Sequence, residues 1–366
     1  MEVRFLVNNA YLCCKKFAKS MKIILAFDSF KGSLSAEEAC HAAAEGLHTR
    51  YPDADIVEMP LSDGGEGLVA CLARCLPLKH VSIQAHGPLM EEIEATYALS
   101  EDGTTAYMEM ASTSGLTLVP EDKRNPLLTT TYGVGEMILD AQRRGCRHIV
   151  MGIGGSATCD GGEGMLQALE DQRLLFEAEE IRITVACDVN NPLYGPDGAA
   201  YVFAPQKGAT TEQVIELDQR LRDFALRCEK AGLATHELAQ HPGAGAAGGL
   251  GYGLMACLGA TLHSGIDILL DTLQFDDQIR EADFIITGEG HSDRQTLMGK
   301  VPHGVLRRAQ RLHVPVHLLS GGIDNGEELL NAGFASVRSI NEGDPRPLNV
   351  LMQPMVAKEK LQKITQ

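Results

Sequence analysis

Residues 148–164 read HIVMGIGGSATCDGGEG, an aliphatic run that empties into glycines before a helical period begins. A buried strand, a tight loop and a following helix satisfy that pattern, and few other local structures do. The arrangement recurs along the chain. The run Lys22–Phe27 precedes Asp28 and Lys31, Ile56–Met59 precedes SDGGEG at 62–67, and Phe284–Thr287 precedes GEGHSD at 288–293. Further predicted strands are Ile149–Ile153, Ile183–Ala186, Val316–Leu319 and Ser336–Ile340. Ser35 with Glu38 forms a capping box opening a predicted helix Ala36–His48, and a second, Tyr132–Arg144, ends at Gly145. Strands alternating with helices define an α/β chain with a doubly wound, mostly parallel sheet.

Two stretches break the alternation. Val81–Met110 places Ile93, Ala95, Tyr97 and Leu99 at period two around Glu101-Asp102-Gly103, the signature of a β-meander. The stretch from Asn190 to Leu262 holds four prolines, a predicted helix over Glu212–Lys230 and the glycine run 242–253. The expected partition is a Rossmann-like domain of residues 21–62, 127–189 and 263–366. A second, smaller α/β domain of residues 63–126 and 190–262 is inserted into it. Residues 1–20 read as a disordered extension ahead of a start at Met21, with Cys13-Cys14 beside lysines as the weaker reading of a membrane-surface anchor.

Charge and cysteines narrow the function classes. A balance of 32 basic against 49 acidic residues, net −17, is a poor match for nucleic acid or an anionic bilayer. No apolar run approaches the roughly 18 residues of a membrane span. The ten cysteines include no CxxC pair and suit a reducing cytoplasm. HExxH, GxSxG and a Walker A loop are all missing, which disfavours zinc proteases, serine hydrolases and P-loop chemistry.

Gly152, Gly154 and Ala157 satisfy the GxGxxA dinucleotide pattern, but the acidic residue expected about 20 positions on is missing and Asp188 lies too far along. The backbone N–H groups of Gly154, Gly155, Ser156 and Ala157, with the hydroxyls of Ser156 and Thr158, form instead a candidate phosphate cradle at or before a helix N-terminus. In open α/β sheets ligands bind beyond the carboxyl ends of the strands, so Asp28, Lys31, Asp188 and the loops 62–67 and 287–293 are expected to converge, and four acidic loop positions around one crevice suit magnesium. Lys31, Lys207 and Lys300 stand beside glycines or prolines and are candidates for neutralising a phosphate or carboxylate. The run 242–253 reads either as close backbone packing or as a substrate-contacting loop.

AFDSFKGSLSA at 26–36, PLSDGGEG at 60–67, MEMASTSGL at 108–116, TTTYGVGE at 129–136, GIGGSATCDGG at 152–162, ACDVNNPLYG at 186–195, PQKGAT at 205–210, HPGAGAAGGLG at 241–251 and ITGEGHSD with GKVP at 286–302 occur here in one order. Together they resemble the bacterial type 1 glycerate kinase family, over Met21 to about Leu330. The resemblance implies ATP-dependent phosphorylation of D-glycerate to 2-phosphoglycerate, with magnesium, in a two-domain α/β enzyme; a homodimer is compatible with it. It assigns loop 154–158 to phosphate, Asp188 to the attacked hydroxyl, Lys31 and Lys300 to charge stabilisation, and Asp28, Glu289 and Asp293 to the metal. Asn190, Lys207, Ser156 and Asp63 fall to the acceptor. The chain departs from the family pattern in a shortened segment at 170–182, and in His291, Cys159 and Phe27. A kinase of another small hydroxy acid, a degenerate binding protein and a disfavoured dinucleotide oxidoreductase are the alternatives.

Overall fold

The computed structural model describes residues 20–62, 67–171 and 181–366. Residues 20–61 contribute β1 (Lys22–Phe27) and β2 (Asp55–Glu58). The insertion Ser62–Gln274 contributes β3 (Lys79–His86), β4 (Glu92–Leu99), β5 (Thr105–Glu109), β6 (His148–Gly152), β7 (Arg182–Ala186) and β8 (Thr261–His263). The return Phe275–Gln366 adds β9 (Phe284–Gly288), β10 (His291–Ser292), β11 (Val316–Ser320), β12 (Gly322–Ile323) and β13 (Ser336–Ser339). Two compact units result, one from both chain ends and one from the insertion.

In the first unit the sheet order is β13-β11-β9-β1-β2, and every pairing is parallel. Ile23, Ile24, Leu25, Ala26 and Phe27 are all fully buried, as expected of a central strand covered on both faces. Helix Ala36–Arg50 begins with the expected capping box, Ser35 Oγ accepting from Glu38 N–H and Glu38 reaching back to Ser35 N–H. Its small residues let helix Pro354–Thr365 approach closely. A Cβ on Gly46 would lie 2.3 Å from Gln362 O.

The second unit holds the sheet β3-β4-β5-β6-β7-β8. The pairs β3–β4 and β4–β5 are antiparallel, confirming the meander, and β5 through β8 run parallel. Its core packs Met108, Met151 and Ile183 against Met137 and Leu250. A second cluster gathers beneath helix Thr211–Lys230, around Leu217, Leu221, Phe224 and Tyr252.

The partition differs from the sequence expectation. β6 and β7, assigned above to the sheet of β1, pair with β5 and with each other, so residues 127–189 and 263–274 belong to the insertion. Aliphatic periodicity reports that a strand is buried and says nothing of which strand lies beside it. Among the described residues, no helix is long and apolar enough to cross a membrane.

Candidate active site

β6 ends at the buried Gly152, level with Glu109 of β5 and Ala186 of β7, and the chain turns there into the glycine loop. Gly155 has φ +72, a left-handed conformation that favours glycine. The segment Ser114–Leu116 runs antiparallel beside it: Leu116 N–H donates to Gly155 O, and Ala157 N–H to Ser114 O, each at 2.8 Å. This corrects the expectation for Ala157, whose amide is already occupied. The loop lies ahead of the helix N-terminus rather than at it. The helix begins only at Glu163, and Asp160 accepts from Gly162 N–H and Gly164 N–H at 3.2 Å each. The amides of Gly154, Gly155 and Ser156 remain, with no protein acceptor among the described residues. Three adjacent unpartnered amides in one loop are a concave donor set for an anion.

Lys207 supplies the charge. It ends the short turn Pro205–Lys207 and is 3% exposed. Its Nζ donates to Ser156 Oγ at 2.6 Å and to Thr158 O at 2.7 Å. An ammonium has three donors, so one remains. Burial pushes this lysine down to about 8, while Cys159 and Asp160 act weakly in the opposite direction. Lys207, Ser156 and Asp188 line a cavity of about 370 Å³ whose apolar wall includes Leu116, Ile153 and Phe203. Thr158 is fully buried and absent from that wall, so its carbonyl anchors Lys207 and its hydroxyl offers the cavity no donor.

Asp188 follows β7 and faces the same cavity. Its Oδ1 accepts from Gly265 N–H at 3.0 Å, at the start of helix Gly265–Thr272. The carboxylate is thereby held in one orientation. Asn190 is exposed and lies outside this cavity's wall. Asp63 lies outside the described residues.

The glycine run bears out its reading as close backbone packing. A Cβ on Gly248, at φ +68, would fall 2.0 Å from Thr158 O, so this backbone packs directly on the anion loop; Ala246 and Ala247 line the cavity. Gly248→Ala is expected to destabilise the protein by about 2–4 kcal/mol through clash and strain together. Thermal denaturation checks this; a wild-type melting temperature would show that the loop can move aside.

A second polar centre belongs to the first unit. Asp28 N–H donates to Gly288 O at 2.9 Å, placing the loops after β1 and β9 side by side. Asp28 and Glu289 are each 6% exposed. Glu289 Oε1 accepts from Thr296 Oγ1 at 2.6 Å and Ser292 Oγ at 3.1 Å, while Lys300 Nζ stands 3.4 Å from Oε2. Asp293 does not join them as expected, because Oδ1 caps the turn Arg294–Met298 by accepting from Gln295 N–H at 2.7 Å. Among the described residues, no three His, Cys, Asp or Glu side chains are grouped to hold a metal. Lys31 is exposed on the loop after β1, and Lys300 is the residue paired with Glu289.

Sequence reasoning missed Asp160, whose signal was an aspartate just ahead of a helix, and Ser114, whose contact with the loop no local pattern reveals.

The family model described as the glycerate kinase family matches residues 23–175 and 170–366. The chain belongs to the glycerate kinase family. It is 42% identical over 346 residues to a glycerate kinase of Bacillus cereus, covering 87% of this chain and 90% of that one. To the glycerate 2-kinase of Escherichia coli K12 it is 43% identical over 329 residues, 83% and 86% of the two chains. A crystal structure from Salmonella typhimurium LT2, described as a glycerate kinase 2, superposes with a TM-score of 0.81 at 38% identity, covering 95% of this chain and 96% of the other.

Proposed function

We propose that this chain transfers the γ-phosphoryl group of ATP to the 2-hydroxyl of D-glycerate, giving 2-phosphoglycerate and ADP. Family membership supports the reaction class. The observation that carries the site is Lys207, a buried ammonium with a spare donor beside three unpartnered loop amides. A buried cation without a matching carboxylate is costly, and an anionic ligand relieves that cost.

The residues fit the roles of a phosphoryl-transfer site, which needs positioning and charge stabilisation more than covalent chemistry. Gly154, Gly155 and Ser156 bind the anion through N–H groups, and Lys207 neutralises it. Asp188 faces the same cavity and accepts the proton that leaves the attacked hydroxyl as the new P–O bond forms. Magnesium, when bound, neutralises charge on the phosphates. Asp28 and Glu289 are buried carboxylates of the first unit, the hard oxygen donors that magnesium takes. Lys300 and Lys31 add positive charge in that unit. The cysteines among the described residues are free thiols, which suits a reducing cytoplasm.

Steady-state assay of ATP consumption with magnesium and D-glycerate, beside L-glycerate and other small hydroxy acids, tests the reading. D-Glycerate is expected to give the highest kcat/KM. A folded protein turning over none of them, or preferring another acceptor, overturns it.

A further inference from the structure

The motif TTTYGVGE at 129–136 takes no part in the reaction described above, and none of its residues lines the cavity. Its first three residues nevertheless lie against the anion loop. Thr129 Oγ1 donates to Ala157 O at 2.9 Å, and Thr131 donates to Asp160 Oδ2 twice, from N–H at 2.8 Å and from Oγ1 at 2.7 Å. Ser114 closes the circuit: its carbonyl accepts from Ala157 N–H at 2.8 Å and its hydroxyl donates to Thr130 O at 3.1 Å. Thr129 is 6% exposed, and Ser114 and Thr131 are fully buried.

These bonds fall on Ala157 and Asp160, which bracket Thr158, the residue whose carbonyl holds Lys207. Both polar backbone groups of Ala157 are occupied, one from Thr129 and one from Ser114. Asp160 also accepts from Gly162 and Gly164, so one carboxylate ties the loop to the starts of two helices, Tyr132–Arg143 and Glu163–Asp171. An anion site built from amides works only when those amides are already fixed, because a loop that reorganises on binding loses affinity and rate.

We propose that Thr129 and Asp160 are positioning residues, which hold loop 154–158 and Lys207 in the anion-binding arrangement without touching the ligand. The inference rests on the assignment of that loop to an anion and specifies what preorganises it.

The test compares wild type, Thr129→Val, Thr129→Ser, Asp160→Asn and the double variant Thr129→Val with Asp160→Asn, all as full chains. Valine keeps the shape of threonine and removes the donor, while serine restores it. Thr129→Val is expected to lose about tenfold in kcat/KM for D-glycerate and ATP at a temperature where it is folded, with Thr129→Ser within about threefold of wild type. Losses in the double variant are expected to fall short of the product of the single losses, because both act through one loop. Lower melting temperatures with unchanged kinetics, or a Thr129→Ser protein no better than Thr129→Val, would reduce this strap of Thr129 and Asp160 to a structural role and overturn the proposal.

Calorimetric binding of inorganic phosphate to the same proteins separates this inference from the enzymatic one. If wild type does not turn over glycerate yet binds phosphate, and Thr129→Val binds it more weakly, the reaction is wrong and the strap stands. Equal phosphate binding by wild type and Thr129→Val overturns the strap even where wild type is active. A wild type that binds no phosphate overturns the anion loop and the strap with it.

Discussion

Lys207→Met is expected to lower kcat/KM for D-glycerate by about a hundredfold to a thousandfold, the range seen when one preorganised donor is removed from a developing anion. Methionine keeps the length of the lysine stem but carries neither charge nor donor. The fold should tolerate it. Removing the buried ammonium leaves Ser156 Oγ and Thr158 O without that donor, and relief from burying the charge offsets this loss. Melting temperatures within a few degrees of wild type, beside the kinetic loss, would separate function from folding.

The same residue predicts a pH dependence. Burial lowers Lys207 from the ordinary lysine value of 10.5 to about 8 in the folded protein. Between these values the unfolded chain binds more protons than the folded one, so this lysine's contribution to stability rises with pH. Below pH 8 the folded protein carries the full penalty of the buried charge; above 10.5 both states are neutral. Function runs the other way, because anion binding needs the ammonium. KM for the anionic substrate should therefore rise as pH passes through about 8, toward a higher value where ligand binding itself stabilises the charge. Lys207→Met should show no such inflection, and a wild-type KM flat from pH 7 to 10 would contradict the assignment.

Asp188→Asn is expected to lower kcat by about 10²- to 10⁴-fold, the usual contribution of a positioned base. Asparagine retains an Oδ1 that accepts from Gly265 N–H, so the start of helix Gly265–Thr272 should survive. Substrate binding should change less than turnover, since the cavity keeps its shape. Normal kcat in this variant would leave Asp188 as a helix-capping residue only.

The sequence carried much of this account, and where it fell short the reasons are physical. Strand ends were legible because aliphatic runs stop within a residue or two of a glycine or an aspartate: β1 matches its predicted range, and β6, β7, β9 and β11 match theirs within about two residues. Lys207 was legible as a lysine beside glycine in an acidic chain, but its burial was not. Its partners Ser156 and Thr158 lie about 50 residues away in sequence. Ala157 misled for a related reason. Its place in a glycine loop suggests a free amide, and only the chain segment at Ser114 shows that the amide is taken. The unit boundary failed because β6 pairs with β5, a meander strand that resembles no βα repeat. Asp293 read as a metal ligand from its motif, while the local geometry turns its carboxylate to the next turn of chain.

The most direct test of the central claim is phosphorus NMR of the product formed by wild-type protein from ATP, magnesium and D-glycerate. The account predicts equimolar ADP and a phosphomonoester signal that adds to authentic 2-phosphoglycerate. A product coinciding with 3-phosphoglycerate, or inorganic phosphate without a phosphorylated acceptor, would contradict it.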